Sequence, residues 1–177
     1  MEIQIGAKLD SGFDDPIGML KDCHRRIEHF LQILCVVAER AAGRAMTDEE
    51  AAAVKSALHY FRHGGERHTE DEEESLFPRL RAESTAGALQ ELSGLENDHR
   101  DACDLHAAAD TLYTVWIEFG ALSPDDEQRL LLITKQLKHL YEEHIQLEEQ
   151  IVFPLAAGIL DSRAIADIGR EFRKRRE

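Results

Sequence analysis

Apolar residues recur every three or four positions through most of the 177-residue chain, and no segment alternates convincingly at period two. That spacing predicts amphipathic helices and no sheet. The first helix is expected to begin at the N-cap Asp15, with Pro16 at its first position, and to run to about Gly43. The second opens at Thr47, where Thr47 and Glu50 form a capping box. Gly64-Gly65 predicts a kink or break in it, and Pro78 weakens its end. A third runs from about Ala86 to Phe119, and a fourth from Ser123 and Pro124 to about Ala157. A short fifth covers about 161–176. Four long segments on short connections predict an all-α, antiparallel up-down-up-down four-helix bundle over about 15–157, with a short C-terminal fifth helix. No linker divides the chain, so one domain over 1–177 is expected. The first dozen residues find no partner in this scheme.

The apolar stripes are interrupted at matching places. In the first helix the seam is Ile17, Leu20, Ile27, Leu31 and Leu34, and His24 takes the missing position. At about 100° per residue His29 falls on the outer face. In the fourth helix the seam is Leu130, Leu137, Tyr141, Ile151 and Leu155, with His144 and Glu148 in the gaps and His139 outside. The third helix carries Glu96, His99, Cys103, His106 and Asp110 between Leu92, Tyr113 and Ile117. In the second, His68 and Glu72 share one face, and the five acids Glu70 to Glu74 cannot all be outside if Leu76 and Leu80 are inside. A carboxylate on an apolar seam is costly to bury without a positive partner.

These interruptions form an internal repeat. His68-x-x-x-Glu72-Glu73-x-x-x-Phe77-Pro78 matches His144-x-x-x-Glu148-Glu149-x-x-x-Phe153-Pro154 position for position. Each copy follows an isolated His-Arg pair, His24-Arg25 or His99-Arg100, at His-to-His intervals of 44 and 45 residues. Two similar hairpins packed together would bring four imidazoles and two carboxylates to the bundle centre. Such a set suits two metal ions, because imidazole binds iron, zinc, copper or nickel and carboxylates bridge pairs of cations. One His-x-x-x-Glu arises easily as a surface i,i+4 pair. Two copies in a matched frame do not.

Charge narrows the function classes. There are 35 acidic residues against 21 basic ones, for a net charge of −14. No nucleic-acid partner is expected, since phosphate contacts need a basic face. The one basic cluster, Arg173-Lys174-Arg175-Arg176, reads as a solvated helix end favoured by the helix dipole. No apolar run reaches the roughly 20 residues that span a bilayer, and the first residues do not read as a signal peptide. No membrane partner is expected, and the cytoplasm is the expected location. Three cysteines without a CxxC pair read as free thiols.

At His24, His68, Glu72, His99, His144 and Glu148, with the two Phe-Pro followers, the sequence resembles the hemerythrin family, specifically the bacterial HHE-type domains, over about residues 15–157. The resemblance implies a bundle holding a non-haem di-iron centre. Its two iron ions would be joined by two carboxylates and an oxo or hydroxo group, with one open position for dioxygen. It assigns His24, His68, His99 and His144 as terminal ligands and Glu72 and Glu148 as bridges. Oxygen-carrying members have a further histidine one turn after the third-helix ligand. Cys103 stands there, and its default reading is a small buried thiol. His106, about 10.5 Å beyond His99 along the helix and on nearly the same face, joins the candidate ligands; the alternative is a core histidine bonded to Asp110 or another carboxylate. Glu28, one turn after His24, is expected to accept from an imidazole N–H. His29, His59, His63 and His139 read as surface residues.

The function expected is binding or sensing of dioxygen, nitric oxide or peroxide, small ligands being the expected partners. A di-iron redox enzyme that detoxifies peroxide or nitric oxide is the alternative, ahead of iron storage or a structural metal. A ferritin-like oxidase needs two Glu-x-x-His pairs, and here Glu96 to His99 is the only match. A zinc protease is excluded because no His-Glu-x-x-His occurs.

Overall fold

The structure is a computed structural model describing residues 10–83 and 86–177. The described residues form five helices: α1 (Pro16–Arg40), α2 (48–83), α3 (Ala86–Phe119), α4 (124–159) and α5 (Ser162–Lys174). No strand occurs among the described residues. The caps are those the sequence signals. Asp15 accepts from the Gly18 amide ahead of Pro16, Thr47 and Glu50 close a capping box, and Ser123 accepts from the Asp126 amide ahead of Pro124. Helix α1 stops at Arg40, short of the expected end, and Gly43 supplies a φ of 76° to the connecting turn.

The core is split into two apolar clusters with a polar layer between them. One cluster holds Ile27, Leu34, Phe61, Ala102, Trp116 and Leu137. The other holds Leu20, Leu76, Leu95, Val152, Phe153 and, from α5, Ile168 and Phe172. Along α1 the chain passes from Leu20 in the second cluster through His24 to Ile27 in the first. Along α2 it passes back, from Phe61 through His68 and Glu72 to Leu76. Helices α3 and α4 repeat the alternation through His99 and through His144 and Glu148. Reversal at each step is the up-down-up-down bundle. All the histidines and glutamates of the internal repeat lie in the layer where the two clusters meet.

Helices α2 and α4 do not break; they widen. Residues Phe61–Gly65, Asp71–Leu76 and Glu148–Val152 are π-helical. In the two repeat copies the wide turn begins beside or at the buried glutamate. The Phe77 amide donates to the Glu72 carbonyl, and the Phe153 amide to the Glu148 carbonyl, five residues back. This explains why Pro78 does not end α2. A proline ring clashes with the carbonyl four residues back in a regular helix, and a wide turn just ahead gives it room. The added residue also rotates everything downstream. Ile151, expected in the seam, is 45% exposed, and Val152 at 2% takes its place. At Gly64-Gly65 the expected kink is the first π segment; a Cβ on Gly64 would lie 2.6 Å from the Tyr60 ring.

The short fifth helix is clamped at its middle and at its C-terminal end. Of the basic tail expected to be solvated, Arg173 and Lys174 are exposed but Arg175 and Arg176 are not free in solvent. Arg175 and Arg176 hold the buried Asp71 at 2.9 and 2.6 Å, and Arg175 also reaches Glu74 and Ser75. Gly169 lets the Phe13 carbonyl pack so closely that a Cβ would sit 1.9 Å from it. Residues 1–9 of the expected unpartnered arm lie outside the described residues, but those after them are engaged. Asp10 pairs with Arg26 at 2.7 Å, and the Ser11 amide donates to the buried Asp22. No helix among the described residues is long and apolar enough to cross a membrane.

Candidate metal centre

In the polar layer the four helices bring together two groups of potential ligands. His24 and His68 form one with Glu72 and Glu148; His99 and His144 form the other with the same two glutamates. Within each group the ligand atoms lie within 4.8 Å of one another. Each carboxylate faces one imidazole from each group. Glu72 Oε1 is 3.5 Å from His68 Nε2, and its Oε2 is 3.3 Å from His99 Nε2. Glu148 Oε2 is 3.1 Å from His24 Nε2 and 3.3 Å from His144 Nε2.

These approaches do not meet hydrogen-bond geometry. Both oxygens of Glu72 and of Glu148, Nε2 of His24, His99 and His144, and Nδ1 of His68 are buried with no hydrogen-bond partner. Buried polar atoms are otherwise nearly always paired, and each such orphan costs about 1–3 kcal/mol. The orphaned oxygens of both glutamates and the orphaned Nε2 of His24, His99 and His144 converge with His68 from four helices, which is what a cation site needs. Nitrogen lone pairs and carboxylate oxygens face a common space without competing donors.

The outer nitrogens of three imidazoles are occupied, while that of His68, Nδ1, has no partner. His24 Nδ1 lies 2.9 Å from Glu149 Oε1, His99 Nδ1 2.7 Å from Glu73 Oε1, and His144 Nδ1 3.3 Å from Asp98 Oδ2. A carboxylate on Nδ1 takes the proton there, which leaves Nε2 as a lone pair directed inward. The second acid of each repeated Glu-Glu therefore orients a histidine of a neighbouring helix. Glu73 on α2 serves His99 of α3, and Glu149 on α4 serves His24 of α1. Sequence reasoning noted these acids as part of the repeat but did not give them this role. It expected Glu28 to accept from an imidazole N–H; Glu28 is exposed, and it is Glu149 that reaches His24 Nδ1. Phe153 stacks on His24 at 5.4 Å, and Phe77 lies parallel to His99 at 6.2 Å. The Phe-Pro followers thus wall the layer on the second-cluster side.

The electrostatics without a cation are unbalanced. Burial, then the neighbouring Glu148 charge, pushes the Glu72 carboxyl well above its usual range. Burial also opposes ionisation of Glu148, but His144 and His24 overcome it and hold its carboxyl well below that range. Burial works against the charged form of His24 and His144, and the Glu148 carboxylate outweighs it, so both imidazoles are raised. His68 is lowered well below its usual value, by burial first and by the His24 charge next.

Other residues of the third-helix stripe stand apart. His106 is in neither group; its Nε2 is 3.0 Å from the Tyr141 hydroxyl and its ring stacks on Phe61 at 4.1 Å. Its partner is this hydroxyl and not Asp110, which is held by Arg62. Burial depresses its pKa to about 4. Glu96 pairs with Arg81 at 2.7 Å. Cys103 is exposed, not buried. A cavity of about 530 Å³ runs in from the α2–α3 side and touches His68, His99 and His144.

A search of curated proteins returns no match to this chain. Residues 15–156 match the family described as the Hemerythrin HHE cation binding domain. That match spans the helices that carry every residue of the two ligand groups, and the chain belongs to the hemerythrin HHE cation-binding family.

Proposed function

We propose that the centre holds a pair of iron ions, with Glu72 and Glu148 bridging them and His24, His68, His99 and His144 as terminal ligands, and that it binds dioxygen, nitric oxide or peroxide. The observation that carries this reading is the sharing of both buried glutamates by the two histidine pairs. A mixed imidazole and carboxylate set suits iron, and two anionic bridges offset much of the charge of two divalent ions. Bound iron would supply an open Lewis-acidic and redox-active position for such a ligand. The chain's own residues do the rest. Glu73, Glu149 and Asp98 fix imidazole orientation, the phenylalanines keep water from the second-cluster side, and the cavity admits the ligand.

A redox enzyme acting on peroxide or nitric oxide is the second reading. It is favoured because the cavity reaches both groups, through His68 on one and through His99 and His144 on the other. Anaerobic loading with ferrous iron, followed by optical spectra with oxygen, nitric oxide and peroxide in turn, tests both. A stable adduct spectrum with no turnover supports binding; repeated consumption of peroxide or nitric oxide supports the enzyme. Iron-loaded protein that changes with none of the three contradicts both.

A further inference from the structure

The cavity beside the centre is far larger than its proposed ligands require. Dioxygen or nitric oxide is about the size of a water molecule, whose share of liquid volume is about 30 Å³. One such ligand fills on the order of one-twentieth of about 530 Å³. The volume falls instead in the range of sites that hold small organic molecules, roughly 300–1,000 Å³.

Its room has a sequence cause. The lining positions Gly65 on α2 and Ala102, Cys103 and Ala107 on α3 are all small. The π-helical segment Phe61–Gly65 widens α2 beside them. One wall is aromatic: the Phe61 ring stacks on His106 at 4.1 Å and is tilted 31° to Tyr141 at 6.4 Å. Leu58 and Ala102 extend the apolar surface. The rim is acidic. Glu66, Glu70 and Asp110 line it, and the one rim cation, Arg62, is already paired with Asp110.

We propose that this cavity is a binding site for an uncharged, flat aromatic molecule of one or two rings, seated against Phe61, His106 and Tyr141 and facing the metal ligands His68, His99 and His144. The proposal rests on the reading of a metal pair at the centre. Rim carboxylates repel an anionic ligand, and metal ions at the floor repel a cationic one, which leaves a neutral ligand. A flat ring gains offset or edge contacts from an aromatic wall that an aliphatic chain does not.

Indole is the probe and benzoate the charged comparator, each titrated calorimetrically into the full-length, iron-loaded protein. Cys103 lines the cavity and is exposed, whereas Cys23 and Cys35 are buried, so Cys103 alkylation gives a second readout on the unmodified chain. The expected result is saturable indole binding, slower alkylation of Cys103 in its presence, and no binding of benzoate. Ala107→Trp fills the cavity mouth without touching a metal ligand; it is expected to weaken indole by about tenfold or more while iron content is kept. If that variant does not fold, wild-type protein blocked at Cys103 with N-ethylmaleimide takes its place with the same expectation. Iron bound normally, with indole unbound or unaffected by the block, overturns the aromatic site alone. Benzoate binding tighter than indole overturns the electrostatic argument. Indole binding to a chain that takes up no iron overturns the metal reading and leaves the cavity's ligand class standing.

Discussion

Asp71 sits beside the buried Glu72 and is itself fully buried, yet it is held by the last turn of the chain. Removing Arg175 and Arg176 together, as a double substitution to alanine, strips the carboxylate of both guanidiniums. Burial already pushes the Asp71 carboxyl up, and the two arginines pull against it. Without them it must be buried uncompensated or protonated. Breaking a buried pair by removing one side costs about 3–5 kcal/mol. The two arginine side chains are 16% and 22% exposed and so partly screened, which reduces the expected loss to about 2–4 kcal/mol. For a domain of this size each 1 kcal/mol shifts Tm by about 2–4 °C, so the melt should fall by roughly 4–16 °C. Asp71→Asn removes the charge but keeps the shape, and it should cost less than the double arginine variant. Combined with that variant it should recover part of the loss, because the buried charge is no longer stranded. Urea and thermal melts of the four proteins close the cycle. A double arginine variant within 0.5 kcal/mol of wild type, about the spread of surface substitutions, would return the tail to the solvated role its composition suggests.

The metal-free protein should melt well below the iron-loaded one by calorimetry, because the orphaned glutamate oxygens and the Nε2 atoms of His24, His99 and His144 gain partners only from a cation; equal melts would place those atoms in water. Glu73→Gln and Glu149→Gln should each weaken metal binding about 10–100-fold in a chelator competition while leaving the fold intact. An effect of Glu28→Gln as large as theirs would redraw which acid orients His24. His106 should make stability pH-dependent: its pKa is about 4 in the fold against an ordinary 6.5. Between those values the unfolded chain binds the extra proton. Stability should therefore be complete above about pH 6.5 and be lost as pH falls toward 4, by about 2–3 kcal/mol. Melts of wild type and His106→Gln across that window should diverge, and parallel curves would show that His106 is solvated.

Much of the centre was legible because a polar residue on an apolar stripe is expensive, and four helices carry one at the same level. His24 is recognisable against Leu20 and Ile27, and His144 against Leu137, for that reason alone. The repeat then ties Glu72 to Glu148. What failed to show was anything depending on register or on distant partners. A regular 3.6-residue period puts Ile151 inside; the wide turn at Glu148–Val152 puts Val152 there instead. No local pattern distinguishes Glu73 from a solvated acid, because its role comes from His99 on another helix. Arg175 and Arg176 look like an ordinary basic helix end, since Asp71 is more than a hundred residues away in the chain. Cys103 and His106 share the stripe of His99, but drift along α3 turns one to the surface and the other toward Tyr141.

The most direct measurement is anaerobic titration of the apo protein with ferrous iron, with bound metal counted per chain in wild type and in Glu148→Ala. Two groups sharing both glutamates predict two irons per wild-type chain, and a variant in which both sites, not one, lose affinity. A single iron in wild type, or a variant that loses one site while the other keeps its full affinity, would contradict a shared, carboxylate-bridged pair.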